Sequence, residues 1–496
     1  LCKNGEKMKS WAGRVLVFIS IIPFIVSAEG GKHSISESVL REFVFTLNEN
    51  NKDQLEEYIS DNYNRYFLEA IPLDSHLDYA INLRHQNGKL GIESISRIAD
   101  KEHFTRWSAL VKSERTEEWS EFVVFFISDN PEKIAGIQMR PASLSSLPEF
   151  STHISQRKLK RELRSFLRRA SEKDVFSGAV LLAKGDEVIF TGAEGPADKR
   201  FKVPNNTETK FNLGSMNKMF TAVAIMQLVE EKKLQLDDHL NKFIDESWIS
   251  PDISQKIQVK HLLSHTSGLG SYFNSVYEAS AKNSFRALDD YKILIKDEKL
   301  KFEPGTAYSY SNTGMFLLGL VIENVSGDGY FDYIRKHIYI PAGMKNSDSF
   351  DEDQPTPNLA TGYYFSTTPG AGWISNSFLL PAKGCPAGGG YSTIADLYKF
   401  ALALKSYKLL SKELTEQLFI IRSELSAVNY GYGFQVSGDK DHRIVGHNGG
   451  FDGISTNLDI YLNQEYIAIV LSNYSQGAPS VVQKIRLLVA QASNEH

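Results

Sequence analysis

The chain has 496 residues, room for roughly two to four domains at the usual domain size. Hydrophobic residues are 42% and charged residues 23%, which excludes a wholly disordered or fibrous chain. The 55 Lys+Arg against 60 Asp+Glu give a net charge of −5, so no basic excess argues for nucleic acid, and two cysteines exclude a disulfide scaffold and a Cys-rich zinc site.

The chain opens on a leader-like pattern. Met8, Lys9 and Arg14 bracket a short cationic stretch, an apolar run follows from Val15 to Val26, and Val26-Ser27-Ala28 supplies small residues for cleavage. This order predicts a secretory signal peptide over 1–28, cleaved after Ala28, with Met8 as the start. The apolar run falls short of the roughly 20 residues that span a bilayer, so the alternative is an uncleaved anchor. No later stretch is apolar and long enough to span. With Cys2 in the leader, the mature chain would keep only Cys385. The expected location is secreted or periplasmic.

Residues 35–63 carry apolar positions at three- and four-residue intervals (Val39, Leu40, Phe43, Val44, Leu47, Leu55, Tyr58, Ile59), broken at 48–51. From Leu90 the period changes to two. Strand-like text runs through 90–95, 106–111, 121–127 and 134–139. Helices followed by an antiparallel meander predict a small α+β module over 34–141. Residues 142–156, rich in Ser and Pro, read as a linker. A basic amphipathic helix follows over 158–170, with Leu159, Leu163, Phe166 and Leu167 on one face. Its arginines read as a solvated face or, alternatively, a membrane-surface contact. A strand pair, Gly178–Lys184 and Glu187–Thr191, turns at Gly185-Asp186, and two more strands lie at 454–461 and 466–472. The text between is mostly helical. Strands at both ends around a helical insert predict one large domain over 157–496.

The chemistry concentrates in three segments. In Gly214-Ser215-Met216-Asn217-Lys218, Ser215 and Lys218 are three apart and project from one face of a first helical turn. Ser215 meets free N–H groups and the positive dipole end there. Lys218 is followed by apolar residues, and a lysine withdrawn from water has a lowered pKa and can accept a proton. Alone, this spacing arises readily by chance. It is joined by Tyr310-Ser311-Asn312, 95 positions on, at the mouth of an apolar helix, and by Gly446-His447-Asn448-Gly449-Gly450 at the end of a strand. A Tyr hydroxyl can share the proton, Asn312 offers amide groups, and the glycines let a substrate backbone approach and leave an N–H for an oxyanion.

In this order the segments resemble the serine β-lactamase and penicillin-binding-protein superfamily, in its class C β-lactamase-like branch of D,D-peptidases and esterases. Leu262-Leu263-Ser264-His265-Thr266-Ser267-Gly268-Leu269, Pro341-Ala342-Gly343-Met344, Gly388-Gly389-Gly390-Tyr391-Ser392-Thr393 with Asp396, and Phe176-Ser177-Gly178 match further signatures of that branch. The resemblance implies a mixed α/β fold, an antiparallel sheet flanked by helices with a helical insert. It implies Ser215 as nucleophile, Lys218 and Tyr310 as general base and acid, and the N–H groups of Ser215 and Gly450, beside Gly449, as oxyanion hole. Asn312 would hold the acyl-side amide, and His447 stands where β-lactamases carry a lysine. A histidine near its ordinary pKa is mostly neutral at pH 7, so weak or no β-lactamase activity is expected. Residues 34–141 resemble, in pattern, the cone-shaped NTF2-like domains that precede some secreted serine hydrolases.

The expected function is therefore an exported serine hydrolase acting through an acyl-enzyme on a D-amino-acid-type peptide or an ester, possession of a cofactor or metal not being implied. Its expected partner is a small peptide or ester of cell-wall type, with no nucleic acid. The alternatives are a catalytically weak binding or regulatory member, and an acyl transferase. Other candidates are less pointed. His261 and His265 have metal-ligand spacing but lack the glutamate of a zinc motif. The Gly388–Gly390 run lacks the Gly-Lys-Ser/Thr of a phosphate loop. Cys385 reads as a partly buried bystander, and Tyr363, Tyr364, Phe365 and Trp373 either line an acyl pocket or pack.

Overall fold

The computed structural model describes residues 34–493 apart from 102–103, 129, 143–153 and 369. The leader expected at 1–28 and most of the expected linker lie outside the described residues. The chain forms two compact units. One comprises Gly178–Tyr363 with Ser375–Ala478. The other comprises 34–177 with Tyr364–Ile374 and 479–493.

The second unit starts with α1 (Ile35–Glu49) and α2 (Lys52–Asn62). Ser34 Oγ accepts from the Glu37 N–H, Asn50 ends α1 in a left-handed conformation, and Asn51 Oδ1 accepts from the N–H groups of Asp53 and Gln54. These caps stop one helix and start the next at the break read from the sequence. Then come α3 (Arg65–Ala70) and α4 (Leu73–Asn87), which periodicity did not single out. The start of α4 has no side-chain cap, and its apolar residues are interrupted by Asp, His and Asn. Four antiparallel strands follow as a meander: β1 (Leu90–Lys101), β2 (Phe104–Ser113), β3 (Trp119–Ile127) and β4 (Asn130–Pro141). The core joins Leu40, Phe43 and Leu47 of α1 to Phe122, Val124 and Phe126 of β3. The Phe43 and Phe122 rings stack at 5.4 Å.

This unit also holds α5 (Gln156–Glu172), whose Leu159, Leu163, Phe166 and Leu167 are buried as its stripe predicts. Of the aromatic loop residues, Phe365 stacks on His85 at 3.6 Å, and Trp373 Nε1 donates to Asp174 Oδ2 at 2.6 Å. Tyr363, in the first unit, is buried and its hydroxyl accepts from the Lys199 N–H. Packing accounts for these three.

The first unit is organised by a six-stranded antiparallel sheet. In spatial order its strands are Gln435–Ser437, Ile444–Phe451, Ile454–Tyr461, Tyr466–Ser472, Gly178–Lys184 and Glu187–Glu194. Strands from the two ends of the unit thus lie side by side, Tyr466–Ser472 against Gly178–Lys184. The long text between supplies two buried helices, α6 (Asn217–Glu230) and α7 (Asn312–Ser326). Both are apolar nearly all round, as helices surrounded by protein must be, and they pack on each other. Their Met219, Phe220, Met315, Phe316 and Leu318 share one core with Leu458 of the sheet. Three of the site's segments are thereby fixed: the turn before α6, the mouth of α7, and strand Ile444–Phe451.

Candidate active site

Ser215 lies in a single 3₁₀ turn, Gly214–Met216, that runs straight into α6. The preceding Phe211-Asn212 pairs with Tyr391-Ser392, and the Leu213 N–H donates to Gly390 O at 2.7 Å. Gly214 has φ +52 and its N–H is held by Asn212 Oδ1, which turns the chain so that Ser215 leads the helix. On the other side lies the strand Ile444–Phe451. A Cβ on Gly449 would stand 1.9 Å from Leu213 O, so only glycine permits this approach. The backbone N of Gly450 consequently sits beside the Gly214–Ser215 turn, 3.1 Å from where a Gly214 Cβ would be. Gly450 itself faces open space.

Lys218 is 0% exposed. Its Nζ is 3.1 Å from Ser215 Oγ and 2.9 Å from Asn312 Oδ1, and it also contacts Ala387 O. Removal from water is the largest influence on this amine and lowers its pKa to about 7. A neutral amine has two N–H donors and one lone pair. In that form, with Asn312 Oδ1 and Ala387 O able only to accept, the lone pair is left for the Ser215 hydroxyl, which then donates to Nζ; in the cationic form Nζ donates to Ser215 Oγ instead. The neutral form has the arrangement of a general base on its nucleophile.

Tyr310 precedes the N-cap of α7. Its hydroxyl hydrogen-bonds Ser215, and its ring lies 4.9 Å from Lys218 Nζ. The residue is 37% exposed, yet desolvation at its hydroxyl raises its pKa, partly opposed by the Ser215 bond. It is therefore a neutral phenol in the working pH range. Ser311 caps α7: its Oγ accepts from the Gly314 N–H and donates to Gly270 O, each at 2.8 Å. The Asn312 amide, expected to meet a substrate, has both ends engaged within the protein, Oδ1 with Lys218 and Nδ2 donating to Ser271 Oγ at 3.1 Å.

His447 differs from the sequence expectation. It is 1% exposed rather than open to a substrate. Nδ1 lies 2.5 Å from Asn448 O, so it carries the proton and donates, and Nε2 accepts from the Tyr430 hydroxyl at 2.9 Å. Burial, then the nearby Lys218, lowers its pKa to about 3. The ring is neutral because it is buried, not because pH 7 lies just above an ordinary histidine pKa.

The structure thus brings Ser215, Lys218, Tyr310 and Asn312 into one bonded cluster, with Gly449 and Gly450 beside it and the buried His447 ring 6.3 Å from that of Tyr310. It adds Ala387, Tyr430 and His265, which the sequence reading did not place at the site. Ala387 comes from the Gly-rich segment: Cys385 and Gly388 exchange backbone bonds at 2.7 and 3.0 Å, and this tight turn aims Ala387 O at Lys218. Cys385 is fully buried and its Sγ lies 3.2 Å from the Tyr272 hydroxyl, while burial raises the thiol pKa. A thiol so held is a poor nucleophile. His261 and His265 do not share a helix face, because the helix Val259–Leu263 ends first and His265 has φ +60.

A family model described as Beta-lactamase matches residues 163–493, more than half of the chain. The chain belongs to the beta-lactamase family. Within this family of beta-lactamase and transpeptidase-like serine hydrolases, it is 29% identical over 334 residues to penicillin-binding protein 4* of Bacillus subtilis (strain 168), covering 63% of this chain and 72% of the relative. It is 32% identical over 269 residues to the putative penicillin-binding protein PbpX of the same strain, covering 53% of this chain but only 62% of that relative's length. Among solved structures, a penicillin binding protein from Bacillus halodurans superposes with a TM-score of 0.59 at 30% identity, over 67% of this chain and 98% of that one. The family match begins at residue 163 and so does not reach 34–141. The resemblance of 34–141 to NTF2-like domains has no counterpart in it.

Proposed function

We propose that this beta-lactamase-family protein is an exported hydrolase that cleaves a D-amino-acid-type peptide bond or an ester through an acyl-enzyme on Ser215. The observation that carries the reading is the buried Lys218 amine, its Nζ 3.1 Å from Ser215 Oγ and bonded besides to Asn312 Oδ1 and Ala387 O, so that in the neutral form its lone pair is left for the Ser215 hydroxyl. In this reading Ser215 Oγ attacks the substrate carbonyl as its proton passes to Lys218 Nζ. The oxygen that becomes negative is met by the N–H groups of Ser215 and Gly450. The C–N or C–O bond then breaks, and the leaving amine or alcohol takes a proton relayed through Tyr310. Water, deprotonated by the same pair, releases the acid and regenerates Ser215.

The substrate proposed is a small peptide or ester derived from cell-wall material, which suits the penicillin-binding names of the relatives. The strand edge supports an extended occupant. Gln435–Ser437 pairs only with Ile444–Gly446, and from His447 to Phe451 no described strand pairs on that side. Export is proposed from the leader pattern in residues 8–28. Among the described residues no helix is long and apolar enough to cross a membrane.

Weak β-lactam turnover follows from His447. With both nitrogens used inside the protein and the ring neutral, it offers no cation to a penicillin carboxylate. A panel of p-nitrophenyl esters, D-Ala-D-Ala peptides and nitrocefin tests this. Turnover of an ester or peptide well above that of nitrocefin is expected. Nitrocefin hydrolysis at the rate of a dedicated β-lactamase would overturn it.

A further inference from the structure

Two side chains outside the bonded cluster surround Tyr310 and connect it to the oxyanion strand. His265 is completely buried. Its backbone carbonyl accepts from the Ser309 N–H at 3.0 Å and its Nδ1 accepts from the Ser311 N–H at 3.1 Å. One residue therefore grips the chain on both sides of Tyr310. Its ring centroid is 4.2 Å from that of Tyr310 and 4.5 Å from that of Tyr430. With Nδ1 accepting, Nε2 carries the hydrogen, and this buried N–H has no hydrogen-bond partner among the described residues. It lies among aromatic rings instead. The left-handed backbone, φ +60, is what carries the chain past the helix end so that both grips form.

From Tyr430 the connection continues. Its buried hydroxyl donates to His447 Nε2, and His447 Nδ1–H donates to Asn448 O, one residue before Gly449-Gly450. Every partner has a fixed role: Asn448 O only accepts, so His447 can accept only at Nε2, and Tyr430 must donate. The chain of contacts runs from the backbone around Tyr310 to the strand that carries the oxyanion N–H, and it contains no charge to disturb Lys218.

We propose that His265 and Tyr430 are positioning residues for acyl transfer, His265 fixing Tyr310 and Tyr430 holding His447 and the oxyanion strand in register with it. The proposal rests on the acyl-enzyme reading above. It assigns a role to two residues that need not touch substrate.

The test uses the full mature chain and a p-nitrophenyl ester. Tyr430→Phe keeps the ring and removes one hydrogen bond. Losing such a bond lowers kcat about tenfold, with KM within about twofold and a modest fall in melting temperature from the unpaired His447 Nε2. His265→Asn keeps an acceptor near the Nδ1 position and suits a left-handed backbone, whereas His265→Ala keeps neither. His265→Ala should lose about 100-fold in kcat through misplacement of Tyr310, and His265→Asn should recover part of it. The proposal is overturned if Tyr430→Phe retains wild-type kcat, if KM alone changes, or if Asn is no better than Ala at position 265. Should His265→Ala fail to fold, the Tyr430→Phe result decides. Ester hydrolysis that survives in Ser215→Ala would defeat the acyl-enzyme reading itself, a different outcome from any of these.

Discussion

In the proposed mechanism the chemistry turns on Lys218, and its environment gives a definite pH dependence. Its pKa is held at about 7 by burial, and only the neutral amine can take the Ser215 proton. The kcat/KM profile should therefore rise with pH through about 7 and stay level until well past the ordinary tyrosine range, because Tyr310 is shifted upward. A profile measured from pH 5 to 10 checks this; a rising limb near pH 10, where an ordinary lysine titrates, would contradict it. The identities of Ser215, Lys218 and Tyr310 were legible in the sequence because fixed spacings on helix starts carry them. The partners were not. Ala387 acts through its backbone oxygen, which no side chain advertises. His265 and Tyr430 lie 46 and 119 positions from Ser311, measured along the chain, and meet the site only through tertiary packing. His447 was legible as an occupant of the lysine position. Its burial was not, since that comes from tertiary packing, in which Tyr430 bonds its Nε2.

At the scale of elements, the site is a set of helix starts and one strand held at close range. The tightest of these contacts is Gly449 on Leu213 O, which Thr456 Oγ1 also bonds at 2.9 Å. Gly449→Ala places a Cβ on backbone and forces the strand away from the Ser215 turn. Overpacking of this kind costs about 1–3 kcal/mol, so the melting temperature should fall, and kcat should fall further than the stability loss explains. Gly450→Ala is the control for stability alone, since its Cβ would meet nothing within 4 Å. Equal falls in melting temperature for the two would contradict the close-approach account. Strands with strong alternation or continuous apolar text, such as Gly178–Lys184 and Ile454–Tyr461, were readable directly. So were α1, α2 and α5, with their apolar stripes. Helix α4 was not, because it begins without a side-chain cap and mixes polar residues among its apolar ones. The helix containing His261 stops at Leu263, and the left-handed turn at His265 that follows it comes from tertiary packing rather than from a glycine.

For the molecule as a whole, the same burial that tunes the site sets its response to acid. His261, His265 and His447 are all buried, and their pKa values are lowered, chiefly by desolvation, to about 4 for His261, well below the ordinary 6.5 for His265, and about 3 for His447. Between pH 6.5 and about 4 the unfolded chain binds these protons and the folded chain does not. Stability must then rise with pH in that window and fall as acid is added, by up to about 1.4 kcal/mol per pH unit for each such histidine. Urea unfolding at pH 7, 6 and 5 measures the slope, and replacing His265 with Asn should reduce it. A slope unchanged by that substitution would show that His265 does not stay neutral in the folded protein.

The central claim is that Ser215 forms the acyl-enzyme. A fluorophosphonate probe with peptide mass spectrometry of the labelled chain tests it most directly. A single adduct on Ser215, absent from Ser215→Ala, is the expected result. A wild-type chain that takes no label, or a Ser215→Ala variant labelled as well as wild type, would contradict it.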